Sequence, residues 1–99
     1  MTLRVVLHAP TPAALGRARR NLANLREAAP DAEILLVVNA EAVGAALARP
    51  DPGTDGHLRL CRMTLDRQGL APPPGIRTVT SAVNELARLQ AEGWAYVRA

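Results

Sequence analysis

The chain reads as an α/β protein built on a parallel sheet, and three observations lead there. Nearly uninterrupted apolar runs at Leu3–Leu7 and Ile34–Val38 look like strands covered on both faces. Each run is followed by a stretch whose apolar residues recur at spacings of three and four, the helical period. The alternation of strand and helix repeats along all 99 residues, which calls for parallel strands joined by right-handed crossovers.

The first strand runs over Leu3–Leu7 and ends at His8 and Ala9-Pro10. Thr11 then stands as an N-cap, with Pro12 at the first helical position, where its missing N–H costs nothing. Leu15, Ala18, Leu22, Leu25 and Ala29 give this helix an apolar face, and Pro30-Asp31 stops it. The second strand covers Glu33–Val38 and closes on Asn39. A short helix follows over Glu41–Ala48, with Val43 and Leu47 one turn apart. Residues 49–56 hold two Pro and two Gly, so they form a surface loop within the domain.

The third strand, His57–Arg62, alternates Leu58 and Leu60 with His57, Arg59 and Cys61, which suits a position near a sheet edge. A short helix over Thr64–Gln68 ends at Gly69. Ala71-Pro72-Pro73-Pro74-Gly75 is a stiff connection to a fourth strand at Ile76–Val79. Ser81 caps the last helix, whose inner face is Ala82, Leu86, Leu89 and Gly93 with Val83 beside them. Gly93 stops it, and Trp94–Val97 is the fifth strand. No part is long enough to fold alone, so residues 1–99 are read as a single domain.

Composition narrows the function. The hydrophobic fraction of 48% supports a packed core, but one Trp, one Tyr and no Phe leave it to aliphatic side chains. Domains this small with so little area per side chain often gain burial by oligomerising. The net charge of +3 matches one segment: residues 12–29 carry Arg17, Arg19, Arg20 and Arg26 against Glu27. A solvated helix face is the simplest reading of these arginines. Nucleic acid is disfavoured as a partner, since no aromatic residues interleave with them. A single cysteine excludes an internal disulfide, and with two histidines it offers no metal site. No glycine-rich phosphate loop follows the first strand, no cofactor motif is present, and no carboxylate pair stands out. No signal peptide and no apolar run of membrane-spanning length is visible, so a cytoplasmic protein is expected.

In a parallel sheet every strand ends on the same edge, where ligands and chemistry collect. Along that edge fall His8, Asn39, Cys61 and the Thr80-Ser81 pair. Cys61 lies at a strand end and a helix start, where the partial positive charge of the helix favours thiolate. Arg59, Arg62 and Arg67 are expected to add to that effect. Asn39 and Thr80 more often cap the next helix than line a pocket. His57 is read as a surface residue at the opposite edge.

The order of several segments resembles the DsrE/DsrF-like family, with the YchN-type fold. The segments are Arg20-Asn21-Leu22-Ala23-Asn24-Leu25, Val37-Val38-Asn39-Ala40-Glu41-Ala42-Val43, Cys61-Arg62-Met63-Thr64-Leu65 with Gly69-Leu70, Thr78 to Leu86, and Leu89 to Val97. The resemblance implies a three-layer α/β/α domain with a five-stranded parallel sheet of order 4-3-2-1-5. It implies a homotrimer or homohexamer, and sulfur donor and acceptor proteins as partners. In the sulfur-relay members the cysteine ending the third strand accepts a persulfide sulfur, and Cys61 holds that place. The chain has Met63 where the family usually has Asn and Ala40 where it usually has Gly.

With that order, strand two separates His8 from Cys61 by two strand spacings, about 9–10 Å, so a direct Cys–His pair within one subunit is not expected. Two functions follow. One is a sulfur carrier using Cys61, its pocket lined by His8, Asn39, Arg62, Thr64, Thr80 and Ser81. The other is a non-catalytic oligomeric module that binds a small ligand or protein, with Cys61 as a buried filler.

Overall fold

The computed structural model describes residues 2–99. Five strands, β1 (Arg4–Ala9), β2 (Glu33–Val38), β3 (Leu58–Cys61), β4 (Thr78–Val79) and β5 (Ala95–Arg98), alternate with four helices, α1 (Pro12–Ala28), α2 (Glu41–Ala48), α3 (Arg62–Gln68) and α4 (Ala82–Ala91). All strand pairs are parallel and the sheet order is β4-β3-β2-β1-β5. The strands at the centre are those whose sequences are apolar on both faces, as burial on two sides demands.

The register sorts side chains into two layers. Val5, Leu7 and Ala9 of β1 line up with Ile34, Leu36 and Val38 of β2 and, beyond them, Leu58 and Leu60 of β3. They pack with Leu15, Ala18 and Leu22 of α1, Val43 of α2 and Leu65 of α3. The opposite face carries Val6, Val37 and Cys61, covered by Ala82, Leu86 and Leu89 of α4. One helix therefore covers the face that holds the cysteine, and this layer is the thinner of the two.

Several boundaries move. β1 starts at Arg4 and runs through His8 and Ala9, while Leu3 lies outside it and is exposed. β4 shrinks to Thr78–Val79, although the Arg77 carbonyl just before it still accepts from the Leu60 N–H of β3 at 3.0 Å. Val83 of α4 is 75% exposed and takes no part in the inner face. Gly69 closes α3 in the left-handed conformation, with φ 65°, the region where a side chain is strained.

The loop over residues 49–56 is not a loose excursion. Thr54 is buried, and Asp55–His57 form a single 3-10 turn. Arg19 of α1 donates to Asp55 Oδ1 at 3.2 Å and lies 3.9 Å from Asp51 Oδ2. Arg26 donates to the Gly53 carbonyl, and the Thr54 hydroxyl donates to Asp51. The Arg19 and Asp55 side chains are only 14% and 16% exposed, so α1 does not offer all its arginines to solvent. His57 is also tied down: its Nδ1 donates to the Ile34 carbonyl at 2.9 Å. The reason is local crowding. A short β-strand entered from a Pro/Gly loop needs anchors, and α1 runs alongside.

Breaking a half-buried charged hydrogen bond leaves its partner unpaired. Arg19→Ala is expected to cost about 1.5–3 kcal/mol, while Arg17→Ala, on an exposed position, should stay within about 0.5 kcal/mol of wild type. Urea unfolding of the two variants checks this. Equal, small losses would return Arg19 to the solvated face.

Candidate functional site

Cys61 is the last residue of β3 and the residue just before α3. Its side chain lies on the α4 face with Val6, Val37, Ala82 and Leu86, and it is 6% exposed. Burial pushes the thiol up. Against it, the Thr64 hydroxyl and the backbone N–H groups of Thr64, Ala82 and Met63 hydrogen-bond the sulfur, and together they hold Cys61 below the ordinary thiol range. Two helix starts thus converge on one sulfur: Met63 and Thr64 belong to α3 and Ala82 opens α4. Unpaired N–H groups at helix starts are natural anion donors.

The arginines expected to help do not. None contributes to holding the Cys61 thiol down. Arg62 lies 3.8 Å from Asp66 and reaches Thr78 Oγ1 at 3.5 Å. Arg59 donates to the Leu58 carbonyl. Burial, then neighbouring Arg77, lowers the Arg59 guanidinium, and Glu85 partly offsets this. Arg67 is exposed. The thiol is held by dipoles and not by a neighbouring cation.

The other strand-end residues divide into two groups. Ser81 caps α4, accepting from the Asn84 N–H at 3.4 Å, while Thr80 is exposed. Thr64 is buried and serves Cys61 directly. His8 and Asn39 are brought together instead of capping anything. His8 Nε2 lies 2.9 Å from Asn39 Oδ1 and His8 Nδ1 lies 2.7 Å from the Tyr96 hydroxyl. A carbonyl oxygen only accepts, so Nε2 carries the proton given to Asn39. In the neutral ring Nδ1 then accepts from Tyr96. The His8 and Tyr96 rings are tilted, with centroids 5.8 Å apart.

Asn39 does not cap α2. That place falls to Ala40, at φ 51° and ψ −139°, with no side-chain cap. Ala40 is the only non-glycine residue at positive φ among those described. Such a conformation costs about 1–3 kcal/mol in a residue with a Cβ, which gives the physical reason the resembling family favours Gly there. The β2–β3 register ends with Val38 beside Leu60, one residue before Asn39 and Cys61. His8 stands one strand further, beside Val37, so no direct Cys–His pair forms among the contacts described.

Tyr96 is the residue that local reading missed. β5 returns beside β1, with Tyr96 opposite Val6 and Arg98 opposite His8. Tyr96 and His8 therefore share a face two residues apart, within reach of an aromatic side chain. A five-strand order placing β5 against β1 was the one signal that could have found it.

Among the described residues no cluster of three or more His, Cys, Asp or Glu could hold a metal ion, and no helix is long and apolar enough to cross a membrane.

A lowered thiol pKa means that thiolate forms at lower pH. Iodoacetamide alkylation of Cys61 should rise with pH and reach half-maximum below the pH of a free cysteine. Removing the Thr64 hydroxyl with Thr64→Val removes a bond to the charged form, worth about 1.5–3 kcal/mol in a buried setting. The half-maximum should then move upward. An unshifted profile would show that Thr64 does not hold the thiolate.

No family model matches the sequence, and no functionally curated protein is similar to it. Among solved structures it is similar to the protein of unknown function MTH1491 from Methanobacterium thermoautotrophicum. The two are 27% identical, with a TM-score of 0.82 over 98% of this chain and 99% of that one. The likeness spans both chains from end to end, and it anchors the five-stranded parallel α/β architecture as a recurring fold.

Proposed function

We propose that this chain is a DsrE-type carrier of sulfane sulfur, with Cys61 holding the sulfur as a persulfide between a donor and an acceptor protein. The observation that supports the reading is the sulfur's surroundings: hydrogen bonds from Thr64, Ala82 and Met63 outweigh burial and favour the thiolate. Thiolate is the nucleophile in sulfur exchange.

The exchange balances without an external oxidant. The Cys61 thiolate attacks the outer sulfur of a donor persulfide, R–S–SH. A bond forms between Sγ and that sulfur as the donor's S–S bond breaks, and RS⁻ leaves with the electron pair. Discharge is the reverse: an acceptor thiolate attacks the outer sulfur and the Cys61 thiolate leaves. A thiol of lowered pKa is the better leaving group, so the same cradle assists unloading. One cysteine per protein suffices. A cytoplasmic setting, where free thiols persist, goes with this reading.

Incubation with inorganic polysulfide followed by intact-mass measurement tests it. The wild type should gain a single sulfur that a reducing agent removes, and Cys61→Ser should gain none. Absence of the adduct, or equal uptake by the variant, would end the proposal.

A second reading, an oligomeric binding module, has its own observation. All four residues of β5 are exposed, and beside them an open, mostly apolar groove of about 350 Å³ is lined by Val5, Leu7, Leu25, Ala28 and Val97 with Asn21 and Asn24. An uncovered edge strand with apolar residues is a pairing hazard unless something covers it. Light scattering at micromolar concentration should give a trimer or hexamer, and Val97→Arg should shift it toward monomer. A monomer mass for the wild type would remove this reading.

A further inference from the structure

We infer that Arg59 and Arg77, neighbours on the α4 face of the sheet at its β4 edge, form a binding site for a tetrahedral oxyanion, sulfate or phosphate, free or as the terminal phosphate of an ester. The inference does not use Cys61 and stands apart from the carrier reading.

The sheet brings the two arginines together. β3 and β4 run parallel, with Leu60 beside Thr78 and Cys61 beside Val79. The Leu60 N–H donates to the Arg77 carbonyl at 3.0 Å, which carries the ladder one residue back and sets Arg77 next to Arg59. Side chains alternate along a strand. Arg59 therefore lies on the face of Cys61, two residues on, and beside Val37 of β2. Arg77 falls on that face too, two residues before Val79. Like charges opposite each other on neighbouring strands repel. Here the Arg59 guanidinium is lowered first by its own burial and then by Arg77.

No carboxylate relieves the pair. Neither Arg59 nor Arg77 belongs to an ion pair among the described residues. Glu85 of α4 is the acid that acts on Arg59, but Arg88 Nη2 takes both of its oxygens at 2.9 Å. Arg59 Nη1 donates to the Leu58 carbonyl, which uses one of the five N–H donors of a guanidinium. Arg19 Nε is the one buried side-chain nitrogen or oxygen without a partner among the described residues, so the free nitrogens of Arg59 reach solvent. Arg77 is exposed, next to the last strand of the sheet. A half-buried guanidinium with free donors and a second cation beside it suit a ligand of two negative charges and several acceptor oxygens. Arginine binds such groups through paired N–H donors. A carboxylate would neutralise one of the two charges, and a dianion neutralises both.

Thermal unfolding at pH 7 and constant ionic strength tests the site, with chloride, sulfate, inorganic phosphate or glycerol phosphate as the anion. A ligand at ten times its half-saturating concentration raises the Tm of a domain this size by about 6 °C. The wild type should climb saturably to that shift in phosphate. In chloride, Arg77→Gln should unfold about 2 °C above wild type, because the repulsion is gone. It should also need about tenfold more phosphate for the same response. Arg59→Gln should lose the response likewise. Arg17→Gln, on an exposed position of α1, and Cys61→Ser should keep it. If Arg59→Gln does not fold, Arg77→Gln decides, since Arg77 is exposed. General strengthening by sulfate or phosphate acts on every variant alike. An equal shift in wild type and Arg77→Gln would therefore overturn the site. So would an equal loss of response in Arg17→Gln, which would mark diffuse attraction to a basic surface. A response to the free ions alone supports a site for free oxyanions, and a matching response to glycerol phosphate supports one that takes a phosphate ester.

Discussion

The structure depends on burial of the central strands on both faces. β1 and β2 carry aliphatic residues on each side, so they must lie inside the sheet with helices above and below. Parallel order follows, since crossover helices are what cover the faces. Parallel order in turn brings every strand's carboxyl end to one edge. His8, Asn39 and Cys61 are the polar residues at which three buried runs stop, and the sheet delivers them side by side. A slip of one residue would turn Val37 and Cys61 to the α1 side and expose their partners. The same apolar pattern that stabilises the core therefore sets the site's register.

The two layers are unequal, and the difference places the site. Three helices contribute to the layer containing Leu22, Leu36 and Leu60, whereas α4 alone covers Val6, Val37 and Cys61. A single helix cannot span five strands. Cover runs out toward β5, where Tyr96 is 39% exposed. Cys61 sits under the start of α4 and is nearly enclosed. The Tyr96–His8–Asn39 chain continues outward from it to the open side. The result is a graded row, with a buried sulfur at one end and a solvent-facing phenol at the other.

Much of this was legible in local sequence. The bounds of β2 and α2 follow directly from an apolar run and a helical repeat, and Thr11, Ser81 and Gly69 act as the caps and stop that their chemistry suggests. What could not be read was interaction across the chain. Arg19 looked like a solvated charge because Asp51 and Asp55, its partners, are far away in sequence. Asn39 looked like a cap because its competitor for hydrogen bonding, His8, lies on another strand. Tyr96 carried no local signal, although the order 4-3-2-1-5 implied by the resemblance already set β5 beside β1. The arginines near Cys61 were credited with an effect that belongs to backbone N–H groups. Those groups are present in every residue but proline and so leave no mark in a sequence.

That last substitution of dipoles for cations matters chemically. A cation beside a thiolate forms an ion pair, and such a pair resists departure of the charge to a more distant atom. Fixed N–H dipoles at two helix starts favour negative charge in their vicinity without binding it to one partner. Under the carrier reading the charge must move one bond outward on loading and return on discharge. A cradle of Met63, Thr64 and Ala82 N–H groups would serve the inner position under that reading. Under that reading, a sulfur held by hydrogen-bond dipoles keeps the good leaving-group character that discharge calls for.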